Sequence, residues 1–358
     1  MKTRTALGLV RAYGRSWLAR PDSPLRAVVQ VTRRCNERCG TCKSWEMPTA
    51  GELTPVEIGR LMAGMPRLVW LDLTGGEPFA RGDHAEVFEQ VLANTPALRV
   101  LHFPTNGWFT SRVVDTCERI AAARPDLELI VTVSVDGDEA LHDRMRGREG
   151  AYRRALATFR ELRARGVSAF VGTTLGPENE HALDRIRQAL DSDLGGFDER
   201  SWHWNLYQSS AQFFGNEPWE ADRGAQARLV RDQARRRFPP RTPVDLMELA
   251  FLVNLQATLD GEELGMSCAA MHGACFVSAE GWLYPCHVWD RPVADLRAHG
   301  FDVAAAWASA EALAAREGAT SLACGGCFTP CEAYPALAGS PGLAVGWTLK
   351  RGLALVRR

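Results

Sequence analysis

The chain of 358 residues is 46% hydrophobic and 24% charged, enough to bury a large core and too long for a small module stapled by disulfides or zinc. Its 42 lysines and arginines against 43 aspartates and glutamates leave a net charge of −1, which speaks against a protein that coats nucleic acid. The ten cysteines are mostly clustered, which reads as metal-binding thiolates in a reducing, cytoplasmic setting and not as a secreted disulfide framework.

Residues 1–24 form a basic segment with Lys2, Arg4, Arg11, Arg15 and Arg20 and, up to Arg20, no acid; Leu7, Val10, Trp17 and Leu18 fall on one helical face. The segment lacks the apolar centre and cleavage site of a secretory signal, and no run along the chain has the length and apolarity of a membrane span. From 25 to 240, β-rich apolar runs alternate with helical patterns, the signature of repeated βα units. Strands are predicted at 27–33, 69–73, 99–104, 129–135, 168–174 and 202–207, and helices at 55–64, 85–94, 111–123, 151–165 and 180–190. The expected fold is α/β, a partial (β/α)6 barrel similar to a TIM barrel, with its chemistry on the loops after the strands.

Phe238-Pro239-Pro240 breaks the pattern, and a boundary is predicted there. A second, Cys-rich and Gly-rich unit then spans 241–335, with helices at 244–259 and 303–315 and a β-hairpin over 276–286. The tail 336–358 carries Lys350, Arg351, Arg357 and Arg358 and no acid. The two ends together hold +9, leaving −10 on 21–332. Such ends suit either an anionic membrane surface, with the protein peripheral to the inner face, or helices docked on the barrel.

Directly after the first strand stand Cys35, Cys39 and Cys42. A structural zinc takes four closed ligands, whereas a [4Fe-4S] cluster held by three thiolates keeps one iron open to a further ligand. Gly75-Gly76-Glu77-Pro78 follows the second strand, Thr105-Asn106-Gly107 the third, and Ser134-Val135-Asp136-Gly137 the fourth, with His142-Asp143 and Arg146-Gly147 beyond. Ser134 and Asp136, two apart, can point the same way from the strand. Each motif alone is often an ordinary turn or cap; their order at the ends of four successive strands gives them weight.

Residues 27 to about 210 thereby resemble the radical S-adenosylmethionine (SAM) superfamily. The resemblance implies that Cys35, Cys39 and Cys42 hold a [4Fe-4S] cluster with an open iron. It places the SAM amino group against Gly75, Gly76, Glu77 and Pro78, with Asn106 in the turn beside them. Ser134 and Asp136 would address the ribose, and Arg146 would offer its fixed cationic fork to the carboxylate. One departure is Thr41, where the family often has a large or aromatic residue before the last thiol. The implied activity is reductive cleavage of SAM to a 5′-deoxyadenosyl radical that removes hydrogen from a C–H bond, driven by a one-electron donor such as flavodoxin or ferredoxin.

Cys268, Cys275, Cys286, Cys324, Cys327 and Cys331, with Gly281 in the hairpin, resemble the SPASM or shorter twitch extension of that superfamily. This implies one auxiliary [4Fe-4S] cluster on a β-hairpin and a helix; a structural zinc knuckle is the alternative that the CxxC spacing permits. Spacing does not select four of the six, and we expect Cys268 and Cys286 to bind and Cys275 and Cys324 to be the spares. Cys117 reads as a buried small residue. Trp202, Trp204, Tyr207, Phe213, Phe214 and Trp219 form either a substrate pocket or core packing, and His287, next to Cys286, is a candidate proton relay. The substrate is expected to be a small natural product, sugar or lipid-type molecule, or else a ribosomally made peptide. The first thiol at position 35 disfavours a preceding peptide-recognition domain. A non-catalytic iron–sulfur scaffold would leave the SAM-binding segments idle.

Overall fold

The computed structural model describes residues 3–16, 19–262, 268–324, 326–327 and 329–357. An entry helix α1 (Thr3–Ser16) precedes β1 (Arg26–Thr32), α2 (Pro55–Ala63), β2 (Trp70–Gly75), α3 (His84–Asn94), β3 (Val100–Thr105), α4 (Thr110–Ala123) and β4 (Glu128–Ser134). Two helices, α5 (Glu139–Arg146) and α6 (Ala151–Ala164), lead to β5 (Ser168–Leu175), α7 (Leu183–Leu194) and β6 (Trp202–Leu206). Local chemistry sets the helix ends. At α2, Thr54 and Glu57 form a capping box with Pro55 in the first turn, and α5 stops at Gly147, whose φ of 60° is left-handed.

β1 to β6 run parallel in order, as βα connections require. Their side chains alternate. Leu71, Leu73, Leu101, Phe103, Val131, Val133 and Val171 bury against the outer helices in one core. The alternate positions of β3, β4 and β5, among them His102, Pro104, Thr132, Ser134, Phe170 and Thr174, are half-exposed and line a concave lumen. Trp202 and Trp204 of β6 lie in the core, and Phe213 and Phe214 turn inward beside Val28 and Phe276.

After α8 (Arg223–Arg237) and α9 (Pro243–Leu259), the sheet resumes with β7 (Ala274–Val277), β8 (Trp282–Tyr284) and β9 (Ala294–Asp295). β7 pairs in parallel with β1, Val28 opposite Phe276, and β8 and β9 follow antiparallel. The break near residue 240 is thus a change of composition; the hairpin beyond it extends the barrel sheet. The helix predicted at 303–315 is two, α10 (Val303–Ala308) and α11 (Ala310–Thr320), because the extended Ser309 ends the first and caps the second through Ala312 N–H. Then come α12 (Pro330–Ala338) and α13 (Pro341–Arg357).

Helices α1 and α12 close the base of the barrel. Leu9 and Tyr13 of α1 pack on Leu25, Val69 and Val100, and Tyr334 of α12 stacks on Trp70 at 6.1 Å. Among the described side chains, the docked face of α1 is Thr5, Leu9, Tyr13 and Ser16, spaced three and four apart. Trp17, Leu18, Lys2 and Arg358 lie outside the described residues, as do the side chains of Arg4, Leu7, Val10, Arg15, Trp347 and Arg357. No described helix is long and apolar enough to cross a membrane. Replacing Leu9 by Ala should cost about 2 kcal/mol, the low end for a buried leucine. Urea denaturation would read that loss, and unchanged stability would show that α1 does not dock.

Candidate functional site

Cys35, Cys39 and Cys42 line one cavity at the carboxyl end of the barrel, together with Gly76, Glu77, Asn106, Ser134 and Arg146. Gly75, Pro78 and Asp136 of the predicted set do not line it. Trp45, which sequence reasoning missed, does: its indole donates from Nε1 to the Cys42 carbonyl at 3.1 Å and puts an aromatic ring beside the thiols, although Thr41 is small.

The loop that carries the thiols is held by its neighbours' backbones. Arg38 N–H and Gly40 N–H donate to the carbonyls of Arg146 and Met145, at the end of α5, at 2.9 and 3.1 Å. Gly76 N–H and Glu77 N–H donate to Thr32 and Arg34 at 2.8 Å each, and Lys43 N–H to Phe214 at 2.7 Å. Side chains add to this: Arg148 donates to the Asn36 carbonyl and Asn216 to that of Thr41. These contacts explain the glycines, since a Cβ on Gly75 would sit 2.2 Å from the Thr32 oxygen and one on Gly76 2.4 Å from that of Arg34.

The Glu77 carboxylate is committed inside the protein. It accepts from Thr105 Oγ1 at 3.0 Å, Asn106 N–H at 2.7 Å and Phe79 N–H at 3.2 Å, tying the ends of β2 and β3 together. Burial pushes its carboxyl up to about 7 despite these donors. The side chain thus braces the cavity wall.

Arg146 and Asp136 are also paired with each other, at 2.7 Å, and the second Asp136 oxygen accepts from Thr174 N–H at 2.9 Å. Asp136 therefore aims Arg146 from behind, where the sequence suggested a direct ribose contact. The guanidinium also lies 3.5 Å from Glu37 and 3.8 Å from the Cys39 sulfur. Both Glu37 oxygens are buried without a hydrogen-bond partner among the described residues, and burial pushes that carboxyl to about 7 against the pull of Arg146. His142 accepts from Asp136 N–H, and Asp143 caps α6 through Gly150 and Tyr152 N–H; both build the loop.

Among the described residues no three His, Cys, Asp or Glu side chains close on a point as a single-ion site. The three thiols line one cavity, and three thiolates are the donor set that a [4Fe-4S] cluster with one open iron takes. Burial holds the Cys39 thiol near 12 in the free protein, and a backbone N–H of Glu37 offsets part of that penalty at Cys35, as hydrogen bonds to cluster sulfurs do.

Residues 29–190 match the radical SAM superfamily. The pre-heme d1 synthase of Dinoroseobacter shibae is 33% identical over 167 residues, 46% of this chain and 39% of that protein. The AdoMet-dependent heme synthase of Methanosarcina barkeri is 28% identical over 291 residues, 75% of this chain and 78% of that one. The crystal structure of native anSMEcpe with bound AdoMet and Kp18Cys peptide superposes over 93% of this chain and 99% of its own, with a TM-score of 0.61 at 13% identity. Residues 29–190 are thus a radical SAM domain.

Beyond the radical SAM barrel, the C-terminal thiols divide into three settings. Cys268 lies within electrostatic reach of Cys327 and Cys324, and Cys286 of Cys327. The sulfurs of Cys268 and Cys286 accept backbone N–H bonds from Ala270 at 3.5 Å and Trp289 at 3.2 Å. Cys275 faces the helix-side core from β7, away from these thiols. Cys331, although near Cys327, turns toward Arg26 and packs against Val28, Phe213 and Phe276 in the lumen. Cys324, expected to be a spare, lies within electrostatic reach of Cys268 and Cys327. His287 is buried against Phe213 and Phe214, and with burial pushing it down to about 4 it is neutral; its Nδ1 has no partner among the described residues.

Gly76→Ala should abolish iron binding at the first site while the C-terminal thiols keep theirs, because the new Cβ drives the Arg33-Arg34 backbone outward. Iron and sulfide assays after anaerobic reconstitution should then fall by about half. Full iron content in this variant would show that the loop is not held as described.

Proposed function

We propose that this chain reductively cleaves SAM and removes hydrogen from a C–H bond of a small hydrogen-bonding molecule, of sugar or related natural-product type, admitted to the barrel lumen. The observation that carries the proposal is the single cavity shared by Cys35, Cys39 and Cys42 with Gly76, Asn106, Ser134 and Arg146. An iron–sulfur cluster on those thiols, reduced by a flavodoxin- or ferredoxin-type donor, would supply the electron that splits SAM into methionine and a 5′-deoxyadenosyl radical. The chain does the rest. Arg146, aimed by Asp136, offers its guanidinium to the SAM carboxylate, and the polar backbone at Gly76 and Glu77 receives the amino group. Ser134 faces the same cavity for a ribose hydroxyl. The loop after β6, through Phe213, Phe214 and the Asn216 bond to Thr41, walls the lumen and keeps water from the reacting carbon.

The lumen wall favours an uncharged polar substrate. Its half-exposed groups on β3 to β5 include His102, Thr132, Ser134 and Thr174. Two arginines on this face, Arg26 and Arg146, are already paired with Asp72 and Asp136. A heme precursor, the reading favoured by the names of the D. shibae and M. barkeri proteins, would have to draw those cations away from their partners. A peptide, as bound by anSMEcpe, is the further alternative.

For the C-terminal thiols we propose Cys268, Cys286, Cys324 and Cys327 as the ligands of one auxiliary [4Fe-4S] cluster. Cys275→Ser should keep about eight iron per chain, and Cys286→Ser should drop it toward about four. Equal iron content in the two variants would overturn this set.

The reading as a whole is tested by 5′-deoxyadenosine release from anaerobically reconstituted, dithionite-reduced protein. Wild type should release it and the Cys35, Cys39 and Cys42 triple alanine variant should not; a wild type that fails with full iron content would end the radical reading. Neutral sugars and their glycosides should stimulate release more than coproporphyrin III or cysteine- and serine-containing peptides. Stimulation by either of the latter alone would replace the substrate class.

A further inference from the structure

Below the cysteine cavity, the lumen carries a second polar constellation that the SAM-binding motifs do not include. His102 stands on β3 two residues before Pro104, which lines that cavity, so it lies about 7 Å deeper along the strand. Its Nδ1 is 2.7 Å from Asp72 Oδ1 on β2, and its Nε2 is 2.9 Å from Thr132 Oγ1 on β4. The other Asp72 oxygen accepts from Arg26 Nε at 2.7 Å. Arg26 is fixed in turn by the Pro330 and Cys331 carbonyls at the start of α12 and by the Trp70 ring, 4.8 Å away.

We propose that Asp72, His102 and Thr132 form an acid–base site on the lumen floor, where His102 takes a proton from a hydroxyl or amine of the substrate. The inference rests on the lumen being the substrate chamber. Asp72 is buried, yet Arg26 and His102 outweigh that burial and hold its carboxyl at about 2. An ionised carboxylate only accepts, so the Nδ1 that faces Asp72 carries a proton, and in the neutral ring Nε2 then presents the lone pair. Thr132 is half-exposed and bonds Nε2 through a freely rotating hydroxyl, so a substrate hydroxyl can take its place. In the transfer the substrate O–H bond breaks and the Nε2–H bond forms, with no electron moved. Asp72 balances the imidazolium, and the Thr132 hydroxyl turns to donate to the new alkoxide.

Exposure separates this arrangement from a histidine that merely satisfies a buried acid. The His102 side chain is 24% exposed, on the lumen side. His142, which does serve the fold, is 1% exposed and bonds a backbone N–H. His203 of β6 also faces inward, but it sits 4.2 Å from the Phe170 ring and 3.4 Å from Glu248 of α9.

Diethylpyrocarbonate, which acylates an unprotonated ring nitrogen, is the probe. With reconstituted wild-type protein and peptide mapping by mass spectrometry, His102 should be modified along with exposed His181 and His299, while His142 and His287 are not. SAM filling the pocket above should slow the reaction at His102. Thr132→Val should speed it by about three- to tenfold, the effect of releasing one neutral hydrogen bond. ¹⁵N spectra of the histidine-labelled protein should show the Nδ1–H form of His102. A His102 that stays unmodified while His181 and His299 react, or that carries its proton on Nε2, would overturn the proposal. If SAM is cleaved in the same preparation, the radical reading stands and only the base is lost.

Discussion

The site depends on a segment with almost no regular structure of its own. From Cys35 to Cys42 the chain has no helix or strand, and its course is set by hydrogen bonds to its carbonyls and amides from the ends of α5, β2 and β6. Those partners are spread along the sequence from Gly76 to Asn216. Only the closed sequence of βα units brings them to one rim, so the barrel acts as the scaffold that makes three thiols converge. The loop also supplies the β2 end with two of its bonds, at Gly76 and Glu77, so the wall of the cavity and the loop of the thiols fix each other.

Charge inside the barrel is organised as nested pairs. Arg146 is held by Asp136 near the rim and Arg26 by Asp72 near the base, each buried pair having a further polar contact on the acid, from Thr174 N–H and from His102. A buried ion pair contributes little net stability, because desolvation offsets most of the attraction, yet breaking one leaves a costly unpaired charge. Such pairs are therefore better understood as fixing orientation. Arg146 is presented to the cavity and His102 to the lumen because each acid behind them can face only one way.

Much of this was legible in the sequence. The six parallel strands lie within two residues of their predicted ends, because period-two burial on one face and turn chemistry between elements are local signals. The three thiols were legible in their spacing, and the Gly-Gly-Glu turn in its resemblance to the radical SAM superfamily. The pairing of β7 with β1 was not legible, since strand alternation tells which face a residue occupies and not which strand lies beside it. That pairing is what buries Cys275 in the core and separates it from Cys268 and Cys286, whose spacing in sequence looks just as suitable. The partners of the Glu77 and Asp136 carboxylates were not legible for a related reason. A short motif identifies acids near a ligand, but whether an acid touches the ligand or braces the wall depends on donors from other strands, here Thr105, Asn106 and Thr174.

The parallel addition of β7 also bears on how the two thiol groups communicate. Through it, Cys286 and the start of α12 are tied to β1, the same strand whose far end begins the Cys35 loop. Arg26 at the base of β1 bonds the Cys331 carbonyl and Asp72, and Asp72 bonds His102, which opens on the lumen. A polar chain thus runs from the C-terminal cysteine segment, under the barrel, to the floor of the lumen below the cysteine cavity. Every link is a hydrogen bond between buried or half-buried groups, so Arg26, Asp72 and His102 hold one another's orientation, and the floor takes its shape from β1, β2, β3 and the start of α12 together.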